Sequence, residues 1–434
     1  MNIGILGLWH QGIVGSACLA AAGHRVVGSD RRQDTVKALT AGSSPIYEPG
    51  LDGLLGEGLA TGRLSFTTDL SLAVKEADVV LVMHDTPVDD QDVSDLSGVL
   101  ADIDAIAPAL QQTVTLIVTA QVVVGTCDVI RERLLAARPK LDLAIAYIPE
   151  NLRLGQAVER FQNPPLPVIG TSDDRAFSVA KTLFGGPDVA WEKVTVRTGE
   201  MVKHALNGFL ATCVTFANEV GNLCDEVGAD GHRLAQVLRM EPRVGAKAML
   251  FPGLGFSGGT LARDVQTLRG LGDRWNLETP FLDGLWVANQ RQNELVVRKL
   301  TEAFGGTLTG HTIAILGMTY KPNTSTLRRS AAVEVAKALI AAGAKVRATD
   351  PKAAEDAVNA EVDVTFLSNP YEAAARAEAL VLMTPWEEYR KLDPARLSPV
   401  MRGNVILDTA NLWKPESWET SGFKYMDIGR GRKV

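Results

Sequence analysis

Residues 2–30, NIGILGLWHQGIVGSACLAAAGHRVVGSD, decide how we interpret the fold. The apolar run Asn2–Leu6 predicts a strand, and the pattern of Gly12–Ala22 predicts a helix. A second strand is predicted at Arg25–Gly28, ending near Asp30. A strand, a glycine-containing turn, a helix and a second strand make up the first unit of a dinucleotide-binding fold.

The turn GLWHQGIVG, residues 7–15, would present backbone N–H groups at a helix N-terminus to a pyrophosphate. It departs from the spacing Gly-x-Gly-x-x-Gly, because three additional residues separate its first two glycines. Trp9 and His10 lie inside the turn, where they either cover a cofactor or simply pack. The residues that we expect to contact the cofactor here are Gly7, Gly12, Ile13 and Val14.

Asp30 lies about 20 residues beyond the turn, where a carboxylate binds ribose hydroxyls and repels a 2′-phosphate. This position favours NAD over NADP. Two alternatives remain open: the neighbouring Arg31 and Arg32 could receive a phosphate, and Asp30 could simply cap a helix.

The composition of the 434 residues is typical of a globular enzyme, with 46% apolar and 22% charged residues. A net charge of −7 argues against a general nucleic-acid binder. The cysteines show no paired or metal-like spacing, so we expect reduced, mostly buried thiols and no metal site. These residues are Cys18, Cys127, Cys213 and Cys224.

Alternation of apolar runs with helical patterns predicts an α/β fold of two Rossmann-like, doubly wound parallel-sheet domains joined by a helical central domain. We expect an NAD-binding domain at 1–197, a helical central or dimerisation domain at 198–300 and a second Rossmann-like domain at 301–434. A long connecting helix is predicted at Glu200–Val227, and the basic tail after Asp427 is expected to fray. The apolar N-terminus lacks a basic leader region and no transmembrane span is apparent, so we expect a cytoplasmic protein without a membrane role.

The run GFSGGTLARD, residues 255–264, is the most specific motif of the chain. It resembles the active-site loop of the UDP-glucose/GDP-mannose 6-dehydrogenase family, Gly-Phe-Gly-Gly-x-Cys-Leu-Pro-Lys-Asp. In that family the cysteine becomes covalently attached to the sugar. Thr260 stands at its position here, Arg263 replaces the lysine, and Asp264 is retained.

The resemblance extends over nearly the whole chain, with its motifs in the family's order. The segments that carry it are YEPGL at 47–51, DTP at 85–87, VVVGT at 122–126, PENLRLG at 149–155 and YKPNTSTLRRS at 320–330. Several residues in or beside these segments depart from the family pattern. Ala120-Gln121 replace Ser-Thr, Leu154 replaces a glutamate, and Ser325-Thr326 replace two aspartates.

By this resemblance, Lys203 and Asn207 would hold the sugar hydroxyl and the developing oxyanion. Glu150 and Asp264 would act in acid–base steps or order a water, and Thr260 lies beside them. The plainer alternatives are a solvated loop carboxylate for Glu150 and a surface helix lysine for Lys203.

The family match also implies that 301–434 is a nucleotide-sugar-binding domain, and it implies further contacts. Those to NAD would come from Thr86, Gln121 and Arg328. Those to a nucleotide sugar, most often one carried by UDP, would come from Asn151, Leu152, Arg243, Phe256, Gly258, Tyr320 and Lys321. In relatives the arginine at position 243 reaches a neighbouring subunit, which implies a homodimer, although a plain surface arginine is the alternative.

Three functional hypotheses follow. The first is an NAD-dependent oxidoreductase that acts on a nucleotide-activated sugar without a cysteine thioester and stops at an aldehyde or a ketone. The second is complete oxidation to a uronate through an aldehyde hydrate. The third is a catalytically silent, sugar-nucleotide-binding scaffold.

Overall fold

The computed structural model describes residues 1–89, 93–150, 152–153, 155–186 and 189–431. Its chain divides into two compact units, Met1–Leu206 and Asn207–Val434, called unit 1 and unit 2 below.

Unit 1 is built on a sheet whose strands are β1 (Asn2–Leu6), β2 (Arg25–Ser29), β3 (Leu64–Thr67), β4 (Val79–Val82), β5 (Thr113–Val118), β6 (Asp142–Tyr147), β7 (Val168–Gly170) and β8 (Glu192–Val194). The order across the sheet is β3-β2-β1-β4-β5-β6-β7-β8, and every pairing is parallel except β6 with β7. Since the chain order reverses between β1 and β4, the carboxyl ends of these two strands form a topological switch point. Ligands bind at such a crevice in open α/β sheets.

The helices of unit 1 are α1 (His10–Ala21), α2 (Gln33–Thr40), α3 (Leu51–Ala60), α4 (Leu70–Val74), α5 (Ser97–Ile106), α6 (Thr126–Ala137), α7 (Ala157–Gln162) and α8 (Asp174–Leu183). A short 3₁₀ helix spans Ala107–Ala109. All four residues of β4 are buried, as expected for a parallel strand covered on both faces.

Helix α9 (Val196–Val227) is 32 residues long and contributes its first turns to unit 1 and the remainder to unit 2. Unit 2 continues with α10 (Gly231–Leu238), α11 (Leu261–Arg274) and α12 (Pro280–Ala303).

The rest of unit 2 alternates strands with helices: β9 (Thr312–Leu316), α13 (Ala331–Ala341), β10 (Lys345–Thr349), α14 (Glu355–Glu361), β11 (Thr365–Phe366), α15 (Pro370–Ala374), β12 (Ala379–Leu382), α16 (Pro394–Leu397), β13 (Val405–Asp408), α17 (Pro415–Thr420) and β14 (Lys424–Asp427). A short 3₁₀ helix spans Glu387–Lys391. The strand order is β11-β10-β9-β12-β13-β14, and all pairings are parallel.

The predicted fold class, with two parallel-sheet Rossmann-like regions and a helical central region, is confirmed. The expectation of a frayed tail is wrong for the residues next to Asp427. Ile428 is fully buried, and the N–H groups of Gly429 and Gly431 donate to the Asp225 carboxylate at 3.1 and 3.0 Å. Within the described residues, no helix has the length and apolar character needed to cross a membrane.

Candidate active site

Two glycines shape the turn between β1 and α1. Gly7 has φ of +91°, and a Cβ on Gly12 would lie 1.9 Å from the carbonyl oxygen of Gly7. These are the requirements of the first and third glycines of Gly-x-Gly-x-x-Gly. The prediction of three additional residues was therefore wrong: the turn has the motif's length, and Trp9 occupies the position of the second glycine. Since α1 begins at His10, the N–H groups of its first turn are available to a pyrophosphate.

Asp30 follows β2 and organises the same turn. Its carboxylate accepts the N–H of Leu8 at 2.8 Å and the main-chain N–H of Arg32 at 2.9 Å. The Arg32 guanidinium lies 3.1 Å from it through Nε. In dinucleotide-binding folds a carboxylate after this strand binds a ribose, and here Arg32 is the counter-ion of that carboxylate. Together, the glycine turn and Asp30 fit an NAD dinucleotide.

Arg31 points to a different carboxylate. Its Nε lies 2.5 Å from Asp102, which also contacts Nε2 of His84 at 2.8 Å. Burial raises the pKa of Asp102, but hydrogen bonds from His84 and Arg31 outweigh this effect, so the pKa lies below its ordinary value. Asp102 therefore stays ionised at neutral pH and holds Arg31.

The ends of β4 and β5 are tied together by two of the predicted cofactor residues. The hydroxyl of Thr86 donates to the main-chain oxygen of Gln121 at 2.8 Å, and both residues are buried. Arg328, also predicted to contact the cofactor, is an exposed residue of unit 2.

Glu48 of the YEPGL motif has a structural role that the sequence did not reveal. Its buried carboxylate accepts the N–H of Gly155 at 2.9 Å and the N–H of Ala157 at 3.2 Å. Nε2 of His10 lies 2.8 Å from the same carboxylate. His10 therefore packs against Glu48 and connects the cofactor turn with the start of α7.

We expect Glu48→Ala to destabilise the folded protein by about 2 kcal/mol, because it leaves the N–H groups of the buried Ala157 and of the exposed Gly155 without their charged acceptor. Glu48→Gln keeps one acceptor oxygen and should cost about half as much. Urea unfolding followed by circular dichroism measures both changes. A Glu48→Ala protein as stable as the Glu48→Gln protein would contradict this role.

Unit 1 brings Glu150 and Lys203 together. Nζ of Lys203 donates to the main-chain oxygen of Glu150 at 2.7 Å and lies 3.7 Å from its carboxylate. Their side chains are 9% and 21% exposed, so this is a sheltered pair rather than a surface contact. The N–H of Leu152 donates to the Glu150 carboxylate. Asn151 and Leu154 of the same motif lie outside the described residues.

Glu200, three residues before Lys203, is fully buried and accepts the N–H groups of Gly125 and Cys127 at 2.6 and 2.8 Å. It thus caps the first turn of α6, where a carboxylate is favoured by the helix dipole. This contact fixes the rotation of α9 and so the direction in which Lys203 projects.

Unit 2 brings Asn207 and Asp264 together. Nδ2 of Asn207 donates to the Asp264 carboxylate, and both residues are buried. Asp264 lies in the first turn of α11. Thr260, four residues earlier in the sequence, is exposed and stands at the N-cap position of that helix.

The loop before α11 is held by Asn289, whose side chain exchanges hydrogen bonds of 2.7 and 3.1 Å with the main chain of Phe256. Gly258 has φ of +79°, and a Cβ there would lie 2.9 Å from the Tyr320 ring. Three of the predicted substrate residues, Phe256, Gly258 and Tyr320, therefore belong to one region of unit 2. Nζ of Lys321 lies 5.3 Å from the centre of the Tyr320 ring.

Arg243 lies apart from this group. Its side chain is 88% exposed and pairs with Glu241 at 2.8 Å. Within unit 2 this arginine makes a local surface contact, which leaves its predicted role in a neighbouring subunit's site open.

No cysteine takes the place of the missing nucleophile. All four are free thiols, and three are buried. Burial raises the pKa of Cys18 to about 12 and also raises the pKa of Cys213. The pKa of Cys127 is raised mainly by burial and secondly by the nearby Glu200 carboxylate. The pKa of Cys224 is raised mainly by burial and secondly by Asp225. A reactive cysteine needs the opposite shift. In the described part of the chain, no group of three His, Cys, Asp or Glu residues could hold a metal ion.

Three consecutive parts of the chain match one family. Residues 1–186 match the UDP-glucose/GDP-mannose dehydrogenase family, NAD binding domain, residues 197–291 its central domain and residues 314–415 its UDP binding domain. The chain is 36% identical to the UDP-glucose 6-dehydrogenase of Rhizobium meliloti (strain 1021), over 99% of this chain and 100% of the relative. It belongs to the UDP-glucose/GDP-mannose dehydrogenase family.

A second member of this family, the UDP-glucose 6-dehydrogenase of Pseudomonas aeruginosa, is 32% identical over 100% of this chain and 98% of its own length. Among solved structures, the UDP-glucose dehydrogenase of Pyrobaculum islandicum superposes with a TM-score of 0.88 at 32% identity, covering 99% of this chain and 97% of that one. The family assigns this protein to the NAD-dependent nucleotide-sugar dehydrogenases, and NAD is its cofactor.

Proposed function

We propose that this enzyme oxidises one hydroxyl group of a UDP-sugar with NAD and releases the carbonyl product without forming a covalent sugar–enzyme ester. The observation that carries this proposal is Thr260 at the position of the family's cysteine. A threonine hydroxyl has no anionic form near neutral pH, and without a strong base it is a poor nucleophile.

The first oxidation needs groups that this chain retains. We assign the sugar hydroxyl to Lys203 and Asn207, whose ammonium and amide groups can stabilise a developing alkoxide. Glu150, held beside Lys203, accepts the hydroxyl proton directly or through a water. NAD held by the glycine turn and Asp30 would supply the hydride acceptor. Asp264 orients Asn207 through their buried hydrogen bond.

UDP is the carrier that we propose, because residues 314–415 match the family's UDP binding domain. The names of the relatives point to glucose and to its C6 hydroxyl. We assign Lys321, Tyr320, Phe256, Gly258 and Leu152 to substrate contacts, together with Asn151 and Arg243.

The matched ranges support a functional division into 1–197, 198–300 and 301–434. Four free thiols favour a reducing compartment such as the cytoplasm.

We also propose that the protein is a homodimer that pairs through helices α9 and α12. Within unit 2, Phe216 of α9 and Phe281 of α12 are 51% and 63% exposed, and both line one groove. Exposed apolar surfaces of this kind mark protein interfaces.

Phe216→Glu together with Phe281→Glu should convert the dimer to a monomer, because two buried charges at an interface oppose association. Size-exclusion chromatography with light scattering measures the mass. Leu72→Glu, at an exposed apolar residue of unit 1, is the matched control and should remain dimeric. A wild-type monomer, or a double variant that stays dimeric, would contradict the proposed interface.

Identification of the product tests the proposed reaction. The enzyme is incubated with NAD and a panel of UDP-glucose, UDP-N-acetyl sugars and GDP-mannose, with hydroxylamine present to trap carbonyl groups. We expect an oxime of a UDP-sugar by mass spectrometry. A uronate alone would favour complete oxidation through the aldehyde hydrate, and no substrate-dependent NADH with any sugar would favour a silent scaffold.

A further inference from the structure

Trp9 is an exposed aromatic residue in a turn whose other residues are buried or half-buried. Its apolar neighbours in the turn, Leu8 and Ile13, are fully buried, whereas Trp9 is 40% exposed. It directly precedes α1, at the carboxyl edge of the sheet. The core therefore does not account for a tryptophan at this position.

Arg32 restrains the indole. Its guanidinium carbon lies 5.6 Å from the centre of the Trp9 ring, in a cation–π contact. The same guanidinium donates to the main-chain oxygen of Leu8 at 3.1 Å and to the Asp30 carboxylate at 3.1 and 3.3 Å. One guanidinium thus holds both the tryptophan ring and the carboxylate expected to bind a ribose.

We propose that Trp9 contacts the dinucleotide and forms an aromatic wall for its adenosine half. This inference rests on the proposed NAD-dependent function. Trp9 occupies the position where a glycine ordinarily lets the main chain approach the pyrophosphate. A ring fixed there by Arg32, with 40% of the residue still exposed, offers a flat surface on which a ribose or a base stacks.

The alternative is that Trp9 hinders cofactor binding, and this makes a different prediction. A side chain at this position also keeps the main chain away from the pyrophosphate, so Trp9 could act purely as an obstruction. An obstruction predicts that glycine at position 9 binds the cofactor more tightly, whereas a stacking wall predicts that it binds more weakly.

NADH titration separates the two, with binding followed by the cofactor's own fluorescence so that the number of tryptophans does not matter. We expect Trp9→Ala and Trp9→Gly to raise the Kd by about tenfold and Trp9→Phe by no more than about threefold, because phenylalanine keeps a stacking face. Arg32→Gln should weaken binding less than Trp9→Ala. Trp275→Phe, at an exposed tryptophan of unit 2, should leave the Kd unchanged.

Each outcome has one meaning, provided that thermal melting shows the variants to be folded. Tighter binding by Trp9→Gly, or a Kd unchanged in all Trp9 variants, would overturn the assignment of Trp9 while leaving the enzyme's function intact. A wild-type protein that does not bind NADH would overturn the proposed function itself.

Discussion

Thr260→Cys should convert the enzyme from one hydride transfer per sugar to two. The residue lies at the N-cap position of α11, a helix of 14 residues, and a thiol at a helix N-terminus has a lowered pKa. A thiolate there can add to the aldehyde, and the resulting thiohemiacetal can lose a second hydride to NAD, giving a thioester that water cleaves. Asn207 and Asp264, which resemble the family's pair, are already in place in unit 2.

The ratio of NADH formed to UDP-sugar consumed measures this gain, and intact-protein mass spectrometry detects the thioester. Thr260→Ser is the matched control: it retains a hydroxyl, removes only a methyl group, and should behave like the wild type. A Thr260→Cys protein that still forms one NADH per sugar, with no covalent adduct, would contradict this account. It would show that the missing thiol is not what prevents the second oxidation.

Lys203→Met should lower kcat by about 10²- to 10³-fold, the loss typical of removing one donor to a developing oxyanion. Lys203 is sheltered, and its ammonium group is held by both the main chain and the carboxylate of Glu150. Methionine keeps the length of the side chain but cannot donate a hydrogen bond. Binding of NADH should change little, because Lys203 lies outside the cofactor turn.

Steady-state kinetics and NADH titration are measured on the same preparations. Lys140→Met, at an exposed lysine of unit 1, provides the matched control and should retain wild-type kcat. A Lys203→Met enzyme that keeps more than about a tenth of wild-type kcat would contradict the assigned role.

Much of the fold was predictable because its central strands are continuous apolar runs. β1 was predicted at Asn2–Leu6 and is found there. Strands such as β3 (Leu64–Thr67) and β8 (Glu192–Val194) were missed. They lie at the edges of the sheet and are only four and three residues long. Polar residues in both strands leave no apolar run to detect.

The cofactor turn shows a different limit. Counting from glycine to glycine suggested an insertion, although the turn has the ordinary length and a tryptophan replaces one glycine. Only the observed start of α1 at His10 decides the alignment. Spacing in sequence identifies such a motif poorly once one of its glycines is substituted.

Sequence spacing also cannot separate residues that act on substrate from residues that hold the site. Glu200, Lys203 and Asn207 lie within eight residues of one another on α9, yet Glu200 caps α6 through main-chain groups 73 and 75 residues away. Glu48 likewise binds N–H groups 107 and 109 residues further along the chain. Partners at such separations depend on the tertiary fold, which no local pattern reports.

The most direct test of the central claim is the number of NADH molecules formed per UDP-glucose consumed by the wild-type enzyme at completion. An enzyme without the cysteine should form one NADH and leave a carbonyl product. Two NADH and a uronate would contradict the claim, because the second oxidation would then proceed without a thiolate.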